Sequence, residues 1–302
     1  MIDVNLKVSF KVVVYVSLLI FSFLNFFIAF LIFFLLQIPF LRRSLLGKLP
    51  FDLEKKPWSR KISYKYKENL WLDIYYPKTD SNQIILFAHG GGWISGYRRQ
   101  PNNISWYRYL VSKGFTVATI DYRYGYLNDI ELLVEDISDA YKFVSEKFPK
   151  LKISLMGLSA GGHLALYFVL KYKPKVENVV AYYTPCDLLD IWKSPSLFAK
   201  FAVSTTLKRL PNKSKDLYIK YSPISYVDKN LPPILLVHGL KDKVVPFISS
   251  VRMYKKLRKM GNKAKLLLHP KGDHGFEFVL KDDKTREILE KTIKFLRGDL
   301  YD

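Results

Sequence analysis

Six short apolar runs, separated by segments with helical periodicity, limit this chain to a small set of folds. Between two of them, residues 130–144 repeat apolar side chains at i, i+3, i+4 and i+7, which is typical of an amphipathic helix. Short continuous apolar runs are typical of strands buried on both faces of a parallel sheet. The alternation predicts an α/β domain with a mostly parallel sheet and helices on both faces. The runs are 84–88 (IILFA), 115–120 (FTVATI), 152–156 (KISLM), 179–183 (VVAYY), 234–238 (ILLVH) and 264–269 (AKLLLH).

Two further strands are predicted before the first of these runs. Residues 61–67 (KISYKYK) and 70–76 (LWLDIYY) alternate in the strand period on either side of a two-residue turn, which indicates an antiparallel hairpin. With this hairpin the predicted sheet is eight-stranded. Gly114 and Gly261 stand where two predicted helices end, because glycine readily adopts the left-handed conformation that closes a helix.

The N-terminal region contains a run of thirty residues, 12–41, without a charged side chain. About 20 apolar residues span a bilayer, whereas a cleavable signal has an apolar core of only about 7–15 residues. The run therefore predicts a retained, single-pass transmembrane helix. A re-entrant hairpin broken near Asn25 and a buried core helix are the alternatives. We divide the chain into a membrane anchor at 1–43, a tether at 44–60 and an α/β domain at 61–302.

The charges beside this run predict its orientation in the membrane. Lysine and arginine are more frequent after the run than before it, and such an excess marks the cytoplasmic side. The net charge of +21 also favours an anionic membrane surface, with a generally solvated basic surface as the alternative. No nucleic-acid partner is expected, because the lysines are scattered and no binding motif has the required spacing. The basic residues near the run are Lys7, Lys11, Arg42, Arg43, Lys48, Lys55, Lys56, Arg60 and Lys61.

Four of the predicted strands are followed by unusual loops. A parallel sheet binds its ligands beyond the carboxyl ends of its strands, so these loops are expected to meet at one edge. They are HGGGW at 89–93, GLSAG at 157–161, GLKDK at 239–243 and DHGF at 273–276. The functional site is therefore predicted at this edge of the sheet.

The loop GLSAG has the G-x-S-x-G form of a nucleophile elbow. The chain turns so sharply from strand to helix that Cβ atoms at the flanking positions would clash, which is why glycines surround Ser159. The predicted helix 160–172 directs its free N–H groups and its positive dipole end toward whatever the serine attacks. We therefore expect Ser159 to be the nucleophile.

From about Lys61 to its C-terminus the chain resembles esterases of the α/β-hydrolase fold, specifically the hormone-sensitive-lipase-like and feruloyl- or acetyl-esterase-like group. One departure is that Tyr124-Gly125-Tyr126 stands where the family usually has Ala-Pro-Glu. The resemblance implies the α/β-hydrolase fold. It rests on five motifs in the family's order, HGGGW at 89–93, DYRYG at 121–125, GLSAGG at 157–162, HGLKDKVVP at 238–246 and DHGF at 273–276.

The resemblance implies a catalytic triad of Ser159, Asp242 and His274 in that chain order. A serine hydroxyl needs a base within hydrogen-bond reach and a carboxylate that fixes the tautomer of that base. Of the five histidines, only His274 follows the last strand in a loop beside a glycine; a loop-bracing role is its alternative. Asp242 directly follows its strand, whereas Asp273 is adjacent to the base and poorly placed to reach it. His89 is expected to brace the glycine loop.

The resemblance also assigns the oxyanion hole to Gly91, Gly92 and Ala160. Consecutive glycines allow a close backbone approach, and their N–H groups can point at a carbonyl oxygen that is becoming negative. A mere tight turn is the alternative. We take Trp93 as substrate-binding, with a core position as its alternative.

The insertion at about 184–223 leaves the strand pattern and is expected to form a short cap over the site. One helical face of it carries apolar side chains, and we take Phe201 on that face as substrate-binding, with plain packing as the alternative. Asp121 and Arg123, outside the cap, are interpreted as a structural polar pair. The face consists of Leu197, Phe198, Phe201, Ala202 and Thr205.

Together these features predict a membrane-anchored serine hydrolase that cleaves small-molecule carboxylic esters of short to medium acyl chains through an acyl-enzyme. The chemistry needs no cofactor. No metal is expected, because the histidines are dispersed, Cys186 is the single cysteine and no H-E-x-x-H or C-x-x-C occurs. The alternatives are an arylformamidase-like amide hydrolase, a prenylcysteine-type methylesterase, a small peptidase and a hydrolase-like receptor without turnover. A receptor would be expected to lack a triad member, and none is missing.

Overall fold

An eight-stranded sheet organises the part of the protein that carries the predicted site. The computed structural model describes residues 20–24, 28 and 46–300, and the chain divides into two units, Met1–Leu46 and Gly47–Asp302. The sheet belongs to the second unit. Its strands are β1 (Trp58–Lys67), β2 (Leu70–Pro77), β3 (Gln83–Ala88), β4 (Thr116–Ile120), β5 (Lys152–Leu158), β6 (Val179–Tyr182), β7 (Ile234–Gly239) and β8 (Ala264–His269).

The strands lie side by side in the order β1-β2-β4-β3-β5-β6-β7-β8. β2 runs antiparallel to both of its neighbours, and the other pairs are parallel. The predicted α/β-hydrolase fold with a mostly parallel sheet is thereby confirmed, and each of the six apolar runs forms a strand. The hairpin is also confirmed, although β1 begins at Trp58, a few residues earlier than predicted.

Helices cover both faces of the sheet. Alternate residues of the strands face two separate apolar clusters, one packed against the helices at 130–147, 160–172 and 248–259 and the other against the helices at 101–112 and 283–297. The strands are buried on both faces for this reason, as β3, β4, β6 and β7 are at every residue. The helices are α1 (Pro101–Ser112), α2 (Ile130–Lys147), α3 (Ala160–Tyr172), α4 (Leu197–Leu207), α5 (Lys215–Lys220), α6 (Ile248–Lys259) and α7 (Asp283–Arg297).

Two glycines end helices as predicted. Gly114 follows α1 with φ of 89°, and Gly261 follows α6 with φ of 80°. A side chain is strained in this left-handed conformation, whereas glycine adopts it freely and lets the chain turn back toward the next strand. Strands β4 and β8 begin directly after these two turns.

Part of the segment predicted as a tether packs on the second unit. The Leu49 side chain is buried, and its backbone N–H donates to Ser105 Oγ at 3.2 Å. The Phe51 ring stacks on the Tyr109 ring with centroids 4.5 Å apart. These contacts fix the chain just before β1 against α1.

The predicted membrane helix at 12–41 lies mostly outside the described residues, and so does its predicted orientation. Residues 20–24 are helical, and the apolar side chains among them are exposed. Within the described part of the chain, no helix is long and apolar enough to cross a membrane.

The predicted cap connects β6 to β7. It consists of α4 and α5, framed by the 3₁₀ helices Leu188–Lys193 and Pro223–Tyr226. The face of α4 that packs inward differs from the predicted one, because Leu197 and Phe201 are exposed. Nearly every position of this helix is apolar or small, so periodicity alone fits more than one face. The buried residues of α4 are Ala199, Ala202, Val203, Thr206 and Leu207.

Candidate active site

Ser159 occupies the sharp turn between β5 and α3. Its φ is 51°, a left-handed conformation that is uncommon for a residue with a side chain. A Cβ on Gly157 would lie 2.5 Å from the Gly161 carbonyl group, and one on Gly161 would collide with the carbonyl oxygens of Ala88 and His89. The glycines are thus required by close backbone approach, as the sequence predicted.

The structure brings Ser159, His274 and Asp242 together from three different strand ends. His274 Nε2 lies 3.0 Å from Ser159 Oγ, and His274 Nδ1 lies 2.8 Å from Asp242 Oδ2. Both distances are within hydrogen-bond range. The carboxylate therefore holds the imidazole so that Nε2 can accept the serine proton.

The side chain of Asp242 is buried, and several donors hold its carboxylate. Its Oδ1 accepts hydrogen bonds from the backbone N–H groups of Val244 and Val245, at 2.8 and 2.9 Å. His238 Nε2 lies 3.1 Å from Oδ2. Burial favours the protonated form, but the charge of His274 and the hydrogen bonds from His238 and His274 outweigh it and hold the pKa of Asp242 well below its usual value. The carboxylate is consequently ionised near neutral pH.

Asp273, the alternative carboxylate, serves the loop itself. Its Oδ1 accepts from the backbone N–H of His274 at 2.7 Å and from that of Lys243 at 3.1 Å. These bonds tie the loop after β8 to the loop after β7. Asp273 therefore helps to hold the imidazole and its carboxylate partner in one place.

His89 and His163 are buried and bonded elsewhere. His89 Nδ1 donates to the Gly90 carbonyl oxygen at 2.7 Å, which agrees with its predicted bracing of the glycine loop. His163 Nε2 donates to the Tyr221 carbonyl oxygen at 2.8 Å. Burial lowers the pKa of His89 to about 4 and that of His163 to about 3, so both rings are neutral near pH 7.

The glycine loop after β3 lies against the elbow. The Cβ position of Gly90 is 3.6 Å from Ser159 Cβ. Gly91 and Gly92 have φ of 133° and 62°, and a Cβ on Gly91 would collide with the Ser95 carbonyl. Among the backbone hydrogen bonds of the loops, turns and helix caps of the described residues, none uses the N–H group of Gly91, Gly92 or Ala160. Their assignment to an oxyanion hole stays a prediction.

The structure places Trp93 in the core instead of the cleft. Its side chain is only 3% exposed, and its indole N–H donates to His163 Nδ1 at 3.2 Å. The core alternative is therefore the one observed, because the loop turns this ring inward at a φ of 63°. Trp93 supports the glycine loop from behind.

Phe198, and not Phe201, lies against the glycine loop. The Cβ position of Gly92 is 3.1 Å from the Phe198 ring and 3.1 Å from Ala202 Cβ. Phe201 is 58% exposed on another side of α4. Phe201, which the sequence predicted to bind substrate, is therefore exposed elsewhere on α4. Phe198 is the phenylalanine of this helix that contacts the glycine loop.

The segment after β4 also contacts the cap. Gly125 donates its N–H to the Trp93 carbonyl oxygen at 2.8 Å, and a Cβ on Gly125 would collide with Thr206 of α4. This contact explains why glycine stands in the part of the motif that departs from the family.

Asp121 and Arg123 are structural but do not form the predicted pair. The Arg98 side chain binds Asp121, and Arg123 makes several bonds to Asp136, the shortest 2.6 Å. Each charge therefore fixes a separate part of the loop after β4.

Two residues beside His274 were not singled out from the sequence. The Tyr183 ring lies 4.5 Å, centroid to centroid, from the His274 ring, and its hydroxyl donates to Glu277 Oε1 at 2.7 Å. Glu277 is fully buried. The available signal was the single acidic residue in the apolar segment FEFVL at 276–280, because a charged side chain in an apolar run is seldom buried without a role.

The arrangement suits acyl transfer: a hydroxyl beside an imidazole, an ionised carboxylate behind it, and backbone donors across the cleft. Within the described residues, no group of three or more histidine, cysteine, aspartate or glutamate side chains is placed to hold a metal ion.

The fold places the chain in the α/β-hydrolase class, and its sequence is similar to esterases of the hormone-sensitive-lipase and acetylxylan-esterase type. Residues 72–257, more than half of the chain, match the BD-FAE family. The protein belongs to that family.

Individual relatives agree with this assignment. A probable isoprenylcysteine alpha-carbonyl methylesterase of Arabidopsis thaliana is 27% identical over an alignment of 270 residues that covers 80% of this chain and 56% of that protein. An acetylxylan esterase of Xylanibacter ruminicola is 26% identical over an alignment of 216 residues that covers 68% of this chain and 43% of the relative. The chain thus spans about half the length of these curated relatives.

A solved structure shows the same fold. The truncated form of a carbohydrate esterase from gut microbiota superimposes with a TM-score of 0.71 at 23% identity, covering 84% of this chain and 99% of that one.

Proposed function

We propose that the protein is a serine hydrolase that cleaves carboxylic esters through an acyl-enzyme intermediate. The observation that carries the proposal is the continuous hydrogen-bonded series from Ser159 Oγ through His274 to Asp242, at 3.0 and 2.8 Å. A serine hydroxyl is a weak nucleophile until a base accepts its proton, and this geometry supplies the base and orients it.

The residues divide the reaction into two half-reactions. Ser159 Oγ attacks the ester carbonyl carbon while His274 Nε2 takes its proton, and the N–H groups of Gly91, Gly92 and Ala160 bind the resulting oxyanion. As the tetrahedral intermediate collapses, the bond to the alcohol breaks and Nε2 returns the proton to the leaving oxygen. Water then attacks the acyl-enzyme in the same way, releasing the acid and restoring Ser159.

We further propose short to medium acyl chains, acetyl through octanoyl, as substrates. Phe198 and Ala202 lie beside Gly92, where an acyl or alcohol group would approach the oxyanion donors. The described cap contains only the two short helices α4 and α5, with six residues in α5, which favours modest chains over long triglycerides.

The proposal includes membrane attachment through the N-terminal segment, with the catalytic domain in the cytoplasm. The uncharged run at 12–41 and the net charge of +21 support it, and so do the exposed apolar side chains of the helical residues 20–24. The full chain should fractionate with membranes, and removal of residues 1–43 should release a soluble, active enzyme. Intact cells or sealed right-side-out vesicles should protect a cytoplasmic domain from added protease. Digestion of the domain there would place it on the other side of the membrane.

A prenylcysteine-type methylesterase is the second candidate. Relatives that carry the name isoprenylcysteine alpha-carbonyl methylesterase support it, together with the apolar residues exposed on the cap. Such a substrate has a large acyl part and a small alcohol, the reverse of an acetyl ester. Methanol release from S-farnesylcysteine methyl ester with a higher kcat/KM than p-nitrophenyl acetate would favour this candidate, and no methanol release would exclude it.

The serine mechanism is tested with a fluorophosphonate probe, which reacts covalently with an activated serine. We expect one label, located by mass spectrometry on the peptide that contains Ser159, and none in Ser159→Ala. A panel of p-nitrophenyl esters from acetyl to palmitoyl, with N-formyl and peptide amides beside it, then separates esterase from amidase and peptidase. An unlabelled, folded wild-type protein that turns over none of these compounds would contradict the proposal and favour a receptor.

A further inference from the structure

Tyr183 holds a strained position beside the proposed base. It directly follows β6 and has a φ of 38°, in the left-handed region that side chains rarely adopt. Its backbone N–H donates to the Val237 carbonyl oxygen at 2.6 Å, so the neighbouring strand fixes the residue. Its ring lies on the His274 imidazole at 4.5 Å with an interplanar angle of 58°. Strain of this kind persists where the surrounding structure enforces it, commonly at a functional site.

The hydroxyl of Tyr183 is hydrogen-bonded to a buried carboxylate. It donates to Glu277 Oε1 at 2.7 Å, and the Trp106 indole N–H lies 3.4 Å from the same oxygen. Glu277 Oε2 is buried without a hydrogen-bond partner among the described residues. A carboxyl oxygen in that state costs free energy that an apolar side chain at 277 would not cost. Packing alone therefore does not account for a glutamate at this position.

The geometry points to a role in the reaction. We propose that Tyr183 and Glu277 are positioning residues for His274: the carboxylate holds the phenol, the phenol ring fixes the imidazole, and the buried negative charge stabilises the imidazolium that forms when Ser159 gives up its proton. The inference rests on the proposed function, because it assigns His274 the role of the base. Neither residue is expected to touch the substrate.

Charge on Glu277 depends on pH in the range where the enzyme would work. Burial raises the pKa of Glu277 to about 7, although the hydrogen bonds from Tyr183, from its own backbone N–H and from Trp106, and the charge of His274, oppose that rise. The ionisable groups around it are Tyr182 and Tyr183 at the end of β6 and His274 on its own loop, with Asp242 beyond the imidazole. The carboxylate is mostly neutral at pH 6 and mostly charged at pH 8.

This titration separates an electrostatic role from a purely structural one. Glu277→Gln keeps the shape and stays neutral, so below pH 6 it resembles the wild type. Above pH 8 the wild type alone carries the negative charge that makes the imidazole a stronger base. The wild-type to variant rate ratio should therefore rise with pH through the neutral range. A residue that only maintains the fold would give a ratio that does not change with pH.

The experiment measures the rate of fluorophosphonate labelling at Ser159 from pH 5.5 to 9 in the full-length protein. Glu277→Gln should label at nearly the wild-type rate at pH 5.5 and about 10-fold more slowly at pH 8.5. Tyr183→Phe keeps the ring and removes the bond to Glu277, so its loss at pH 8.5 should be smaller, about 3-fold. Tyr182→Phe is the matched control, since that adjacent buried tyrosine bonds to Thr292 instead; its ratio should stay near one throughout.

The outcomes are distinct. A rising ratio for Glu277→Gln or Tyr183→Phe, with a flat one for Tyr182→Phe, supports the pair. A ratio that is flat for both variants overturns it and leaves the serine mechanism in place, because Ser159 is still labelled. If Glu277→Gln does not fold by circular dichroism, the pH dependence of Tyr183→Phe decides alone. Absence of labelling in the folded wild type would refute the proposed function and the pair with it.

Discussion

The carboxyl edge of the sheet and the cap that covers it follow different structural rules. At the edge, the elbow glycines have no room for a side chain, and backbone N–H groups hold Asp242. In the cap, one side of α4 packs inward while Leu197 and Phe201 are 70% and 58% exposed. Steric contact thus allows only one backbone arrangement at the sheet edge. The cap is held only through the inward side of α4. We expect changes at the edge to abolish the reaction and changes in the cap to alter its selectivity.

The most severe way to break the edge is to remove its nucleophile. Ser159→Ala should lower kcat by roughly 10⁴–10⁶-fold while the circular dichroism spectrum stays unchanged, because the remaining donors supply no nucleophile. His274→Ala should resemble it, and the double variant should lose little more, since the two side chains act as a unit. Near-wild-type hydrolysis of p-nitrophenyl acetate by Ser159→Ala would disprove the assignment.

A methyl group placed in the elbow tests the steric rule itself. Gly161→Ala puts a Cβ against the carbonyl oxygens of Ala88 and His89, and neither backbone can yield, so the free energy of unfolding should fall by about 3–5 kcal/mol. Gly261→Ala is the control, because its Cβ would meet nothing within 4 Å and only the φ of 80° is unfavourable. It should cost about 1 kcal/mol. Urea denaturation measures the free energy of unfolding of both variants. Equal losses would show that backbone conformation, and not contact of the Cβ atom, requires glycine at the elbow.

The buried carboxyl group behind the edge should make stability depend on pH. The folded-state pKa of Glu277 is about 7, above the value of about 4.3 for an unfolded chain. The folded state therefore retains a proton that the unfolded state loses, and stability decreases as pH rises from about 4 to 7. Relative to wild type, Glu277→Gln should lack this decrease, a difference of about 3 kcal/mol at pH 8 compared with pH 4.

Urea denaturation of both proteins at several pH values measures that difference. Subtracting the two curves removes contributions from the other titrating groups, including Asp73 and Asp242, because those are common to both proteins. If the free energies of unfolding of the two proteins ran parallel over the whole pH range, the Glu277 carboxyl group would have the same pKa in the folded and the unfolded state.

Substitutions in the cap are expected to have the smallest effects on activity, and they test the difference between the cap and the sheet edge. Phe198 is next to Gly92, so Phe198→Ala should reduce kcat/KM for the octanoyl ester about 5-fold more than for the acetyl ester, through loss of apolar contact with the chain. The exposed Phe201 on the same helix is the matched control, and Phe201→Ala should change both by less than about 2-fold. A larger effect of Phe201→Ala would return the substrate-binding role to the residue that the sequence suggested.

The sequence determined those features that depend on neighbours along the chain. The strand runs, the ends of α1 and α6 and the full extent of α3 follow from hydrophobic period and glycine placement, which act over a few residues. The need for glycine at 157 is equally local, since a Cβ there would collide with Gly161, whereas the need for glycine at 161 comes from the distant Ala88 and His89. The order of the motifs along the chain supported the resemblance that implied the fold. The same resemblance implied the three residues that the structure brings together.

Tertiary structure decided the features that depend on which distant segments meet. Ser159 and His274 are separated by 115 positions, and Tyr183 and Glu277 by 94; their contacts exist because the strand order places the ends of β5, β6 and β8 at one edge. No short pattern encodes such a meeting, so the pair beside His274 and the inward turn of Trp93 were not predicted. The face of α4 was also undetermined, because an apolar stripe does not specify its partner. The loops at Gly92 and Gly125 select that face by contact.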